Sequence, residues 1–175
     1  HFLTMTISRI EFLRVATLSS ALLVAGCFSD SPPPPQPSQM EMRSFQTREY
    51  DTNDEKLVLK AVLNTLQDMG FIVTTADPGI GLLTATKKVN ISHTKKEVKE
   101  AKKREAPLSQ TDVLDCTANI SEFGKTQCRV RVNFQRQILD ATGATMQASP
   151  ITDVKFYQTF FSQVDKGIFL QQEGV

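Results

Sequence analysis

Four consecutive prolines, Pro32 to Pro35, with Pro37 two residues on, set a stiff spacer between a short leading segment and the rest of this 175-residue chain. Proline fixes φ and carries no N–H, so such a run enters neither helix nor sheet and adopts polyproline II, rising about 3.1 Å per residue. A packed body must therefore lie on one side of the run, and only the stretch from about residue 41 onward is long enough to enclose a core. The chain as a whole is 40% apolar and 22% charged, which suits a single globular domain with appendages.

The segment before the prolines has its own organisation. Arg9 and Arg14 make a positive flank, and Val15 to Ala25 follows as an apolar stretch. That stretch is shorter than the roughly 20 apolar residues that cross a bilayer, but it has the length of a secretion-signal core. His1 does not initiate translation, so Met5 is read as the initiator and residues 1–4 as an upstream artefact. At the end of the apolar run stands Val24-Ala25-Gly26-Cys27.

This tetrapeptide, behind its positive and apolar regions, resembles the lipobox of bacterial lipoproteins. The resemblance implies cleavage after Gly26, so that residues 1–26 are a signal peptide, and acylation of Cys27 with diacylglycerol and a further acyl chain such as palmitate. Several acyl chains, at about 0.8 kcal/mol per buried methylene, make a lasting membrane anchor. Phe28 stands where Gram-negative inner-membrane lipoproteins tend to carry Asp. The implied address is thus the periplasmic face of the outer membrane. Residues 27–40 then read as a lipidated cysteine and a stiff tether reaching up to about 40 Å.

Residues 41–172 read as one α+β domain. Positions 41–52 suggest a strand. Thr52 and Glu55 have capping-box spacing, and Leu59, Val62, Leu63, Leu66 and Met69 form one helical stripe closed by Gly70 and Phe71 as a Schellman ending. Phe71–Ala76 and Leu82–Lys88 read as a hairpin. Alternation places Leu114, Cys116, Ala118 and Ile120 on one face, and Cys128, Val130, Val132 and Phe134 on one face of the next strand. Ser149-Pro150 suggests the start of a last helix, whose stripe is Val154, Tyr157, Phe161, Val164 and Ile168. The expected architecture is an antiparallel sheet of four to five strands with two helices packed on one face, the other face more polar.

Residues 89–109 interrupt this pattern. Lys95, Lys96, Lys99, Lys102, Lys103 and Arg104 meet few acids and almost no apolar residues. The plain expectation is a long, solvated, mobile insertion; the sharper one is a contact with envelope polyanions or lipid headgroups through residues 87–104.

Little in the chain invites catalysis. His1 and His93 are the two histidines, there is no Trp, and no HExxH, Gly-x-Ser-x-Gly or Walker spacing occurs. No metal site, cofactor or small-molecule substrate is expected, and the reading is not an enzyme. Removing residues 1–26 takes away Arg9, Arg14 and Glu11 and leaves 18 basic against 18 acidic side chains, so no global charge draws nucleic acid. Cys116 and Cys128, on neighbouring strands in an oxidising compartment, suggest a structural disulfide.

The runs from Arg43 to Thr52, Thr65 to Phe71 and Gly81 to Lys87 resemble small uncharacterised Gram-negative envelope lipoproteins. That resemblance carries over no catalytic residue. It implies a membrane-anchored interaction or assembly module with an envelope protein partner, in the manner of accessory parts of trans-envelope secretion complexes.

Overall fold

The computed structural model describes residues 36–174, and the signal-peptide segment, Cys27 and most of the tether lie outside them. The order is α1 (Gln39–Gln46), β1 (Thr47–Tyr50), α2 (Glu55–Asp68), β2 (Ile72–Asp77), β3 (Leu82–Asn90), α3 (Lys95–Arg104), β4 (Ser109–Phe123), β5 (Gln127–Asp140), β6 (Thr145–Pro150) and α4 (Val154–Gln172). The class is α+β, with an antiparallel sheet. Six strands and four helices exceed the expected four to five and two.

The sheet runs β1-β5-β4-β3-β2, with β6 also paired to β5. The long strands β4 and β5 form its centre. Alternation buries Cys116, Ala118 and Ile120 of β4 and Cys128, Val130, Val132 and Phe134 of β5 on one face, as the pattern requires. Helix α2 carries the chain from the β1 edge to the β2 edge across that face. It packs beside α4, where Gly167 lets the helices approach until its missing Cβ would lie 3.5 Å from that of Ala61. Val58, Val62 and Leu66 of α2, with Tyr157, Phe160 and Val164 of α4, complete the core. Each such side chain contributes about 1.5–3 kcal/mol by leaving water.

Helix α2 ends as its sequence indicates. Gly70 takes φ +83°, Phe71 N donates to Leu66 O at 2.9 Å, and Gly70 N donates to Gln67 O at 2.9 Å. Lys87 Nζ then donates to Met69 O at 2.7 Å, setting a cation on the carbonyl end of the helix dipole.

Five expectations need correction. Residues 39–46 are helix, because Ser38 and Glu41 form a reciprocal capping box, Ser38 N donating to Glu41 Oε2 at 2.7 Å. Asp54, not Thr52, caps α2 by accepting from Leu57 N at 2.9 Å. The stretch Thr145–Pro150 is a sixth strand. Pro150 closes an edge strand, where its lost N–H costs nothing, and Asp153 caps α4 by accepting from Lys155 N.

The segment 89–109 holds the helix α3. Thr94 and Glu97 form a second capping box, Glu105 takes the left-handed C-cap at φ 51°, and the first-turn acid and last-turn bases match the helix dipole. None of its residues is buried. The fifth correction concerns Cys116 and Cys128, which are free and buried rather than bridged. Register places Cys116 opposite Phe134 and Cys128 opposite Glu122. They are therefore six ladder positions apart, about 20 Å at ~3.4 Å per residue, whereas a disulfide needs Cα atoms within about 7 Å.

Candidate functional site

The face of the sheet opposite the helices is left uncovered by them. Its centre is polar and exposed, with Thr117, Asn119, Arg131, Asn133 and Gln135. Toward the β3–β4 end it changes character and sinks into a hollow of about 560 Å³.

Four strands build that hollow. Ile72 faces Thr86 across the β2–β3 ladder, Lys88 faces Val113 across β3–β4, and Val113 and Asp115 face Gln137 and Gln135 across β4–β5. Ile72 is 75% exposed at one wall, and Leu139 forms the other. Val113 forms the apolar floor. It is buried, yet it lies outside the core cluster beneath the helices.

A short network crosses it. Thr86 Oγ1 donates to Asp115 Oδ1 at 2.8 Å, and Gln137 Nε2 donates to Asp115 Oδ2 at 2.8 Å. Both carboxylate oxygens are thus engaged, and the amide of Gln137 is held in one orientation. The carboxylate is thereby held in one orientation as well. The hollow thus combines apolar walls, oriented hydrogen-bonding groups and Lys88 among its lining residues.

The sequence-derived site residues fall elsewhere. Cys27 lies outside the described residues. Cys116 and Cys128 sit under the helices; burial pushes the Cys116 thiol well above its ordinary value, and burial with the nearby Glu55, Asp54 and Glu122 carboxylates raises that of Cys128, which disfavours the nucleophilic thiolate at both. Of the basic group, Lys95, Lys96, Lys99, Lys102 and Lys103 share one side of α3, while Arg104 falls beside Glu97 and Glu100. His93 Nε2 lies against the Ser109 carbonyl and its Nδ1 is 3.9 Å from Glu97, tying the foot of α3 to the start of β4. The early acids serve structure: Asp54 caps α2, and Asp51 accepts from Gln127 Nε2 at 2.5 Å. Among the described residues no group of three or more His, Cys, Asp or Glu is placed to hold a metal ion.

The hollow itself was overlooked in the sequence, although a signal for it exists. Val113 breaks the polar half of the alternation in β4, and Thr86 and Lys88 occupy the same half in β3.

No family model matches the chain, and no curated protein matches it. Among solved structures it is similar to the adenylate sensor from AMP-activated protein kinase in complex with a ribofuranotide, at 14% identity and a TM-score of 0.35, covering 70% of this chain and 94% of that one. It is also similar to a DUF4468 family protein from Bacteroides ovatus, at 8% identity and a TM-score of 0.34, covering 70% and 84%. Likenesses this loose bear on neither function nor fold.

Proposed function

We propose that this chain is an outer-membrane lipoprotein, anchored through acylated Cys27 on the periplasmic side, whose domain is a non-enzymatic docking module for an envelope protein. The place and anchor come from the signal-like segment and the Val24–Cys27 box. The docking role rests on one observation, the open sheet face with its hollow walled by Ile72 and Leu139 over Val113. A face carrying oriented amides and hydroxyls around an apolar floor suits a protein surface with one projecting side chain. Participation as an accessory part of a trans-envelope assembly follows the resemblance drawn from the sequence.

The test is purification of the full chain from gently solubilised envelopes, as native protein and as Ile72→Asp and Thr117→Arg variants. A partner recovered in fixed ratio with the native chain and lost from both variants supports the reading. A chain recovered only as a free monomer, or a partner retained by both variants, overturns the docking face. Mass spectrometry of the N-terminal peptide tests the lipid on Cys27 separately.

A further inference from the structure

Helix α3 is a polar helix that adds nothing to the core and is nonetheless carefully built. It has no buried residue, it carries a reciprocal capping box at Thr94 and Glu97, and it ends in a left-handed residue. Ala101 is its one half-buried position. An isolated helix of ten residues is marginal in water, so these caps are what keep it helical.

Its faces are sorted. At 3.6 residues per turn, Lys95, Lys96, Lys99, Lys102 and Lys103 fall within an arc of about 120°, and Glu97, Glu100 and Arg104 fall outside it. Among the described residues none of these five lysines has a carboxylate within salt-bridge distance, whereas Arg48, Arg129 and Arg136 are all paired. Val98 flanks the arc on its other side and is 43% exposed. The result is a basic strip about 12 Å long with an apolar residue along one border.

We propose that this strip of α3 lies on the headgroups of an anionic phospholipid bilayer, holding the domain flat against the membrane rather than free at the end of its tether. The strip is straight and has no concavity, so it fits a plane of phosphodiesters rather than one phosphate. Lysine supplies point charges on flexible stems that reach down to a headgroup plane, where arginine would give the planar fork suited to a single anion. Val98 adds an apolar contact at the border of the charge, as interfacial helices do. There is no aromatic side chain in α3 on which a nucleobase stacks. The nearness of a bilayer rests on the anchor reading above, while the chemistry of the strip does not.

Each lysine close to an anionic surface raises affinity roughly five-fold, so five together raise it about three thousand-fold at low salt. The core lies between Phe45 and Ile168, and Gln36–Val175 forms one compact unit, so residues 36–175 fold without the anchor. Sedimentation of that domain with vesicles of phosphatidylcholine alone, and of phosphatidylcholine with phosphatidylglycerol, reads the strip without any lipid on the protein. Binding to the anionic vesicles only, weakened by salt and lost by more than about a hundred-fold in a Lys95→Gln, Lys99→Gln, Lys102→Gln, Lys103→Gln variant, is the expected result. All four positions are exposed, so an unchanged circular dichroism spectrum and thermal midpoint show that the variant still folds. A dye on Val98→Cys is expected to shift to the blue on anionic vesicles. Equal binding by the variant, no binding by the native domain, a dye that does not respond, or displacement by inorganic phosphate at matched ionic strength would each overturn the proposal. Because this domain lacks Cys27, none of those outcomes depends on whether the anchor reading holds.

Discussion

The backbone N–H of Phe134 donates to Tyr157 Oη across 3.3 Å, and the phenol thereby closes a break in the edge of the sheet. On that side of β5, β1 pairs only with residues 128–131 and β6 only with residues 135–139. Between them Phe134 has no strand partner. Its carbonyl accepts from Ile151 N at 2.9 Å, and Gln46 Nε2 donates to the same Tyr157 oxygen at 3.3 Å. The ring of Phe134 meanwhile packs edge-on against Phe156, Tyr157 and Phe160. Tyr157→Phe keeps the packing and strands two buried donors. It is expected to lower unfolding free energy by about 1–3 kcal/mol in denaturant titration. A loss below about 0.5 kcal/mol would show that the hydroxyl does not bridge this gap.

Alkaline titration gives a second check, because Tyr50 and Tyr157 are the only tyrosines and there is no tryptophan. Burial holds both phenols above their ordinary 10.0; beside Tyr50, the Asp165 carboxylate adds to the effect. The folded state therefore keeps protons that the unfolded chain releases near pH 10. Stability is full below that value and falls as pH rises through the higher folded-state values. Absorbance near 295 nm is expected to stay flat past pH 10 and then to appear together with loss of helical dichroism. A smooth phenolate rise centred on pH 10 in folded protein would contradict the burial of both rings.

The core was open to reading because alternation and helical periodicity are imposed by burial itself. Cys116, Ala118, Ile120 and Val130 to Phe134 declare their face, and Gly70-Phe71 declares how α2 stops. Val58, Ala61 and Thr65 turn out to be buried as well, while Val154 at the start of the α4 stripe is exposed. What escaped was decided by polar contacts with weak sequence signatures. Ser38-x-x-Glu41 and Thr94-x-x-Glu97 each start a helix that buries little, so hydrophobic patterning is silent about both. Ser149-Pro150 suits a helix start as well as a strand end, and the choice falls to Asp153, three residues on. The hollow depends on register between four strands, which no single segment reveals.

The cysteines test the register directly. With Cys116 against Phe134 and Cys128 against Glu122, neither reaches the other without sliding the hairpin by several residues. Residues 36–175 are expected to run as fully reduced thiols after exposure to air. A thiol reagent should find none accessible in the native state and both after denaturation. Recovery of a Cys116–Cys128 bridge from native protein would require a different pairing of β4 with β5.

The caps of α3 carry a pH signature. Two hydrogen bonds hold the Glu97 carboxylate below its ordinary 4.5, the larger effect coming from the Thr94 backbone and the smaller from its side chain. The stabilisation is present above 4.5 and is lost as pH falls through the lower folded-state value. Carbon-detected NMR is expected to place the Glu97 midpoint below 4.5. Thr94→Ala, which removes the side-chain half of the box, should move it upward and loosen the first turn of α3. An unmoved midpoint would mean that the box does not hold the helix.

Two glycines set opposite expectations and together test how closely the elements pack. Gly81 takes φ +65°, and a Cβ there would lie 1.8 Å from the carbonyl oxygen of Ile120, whose N–H donates to Gly81 O at 2.8 Å. Gly81→Ala must therefore push β3 and β4 apart at the hairpin mouth and adopt a left-handed backbone besides. A loss of roughly 2–4 kcal/mol is expected. Gly167 lies in mid-helix, and its Cβ would meet Ala61 at 3.5 Å, an ordinary contact. Gly167→Ala removes the backbone freedom of a helical glycine without a clash, so a gain of up to about 1 kcal/mol is expected. Thermal unfolding of the two variants beside the native domain reads both at once. A destabilised Gly167→Ala would mean that α2 and α4 sit closer than this distance allows, and a neutral Gly81→Ala would mean that the β2–β3 turn does not approach Ile120.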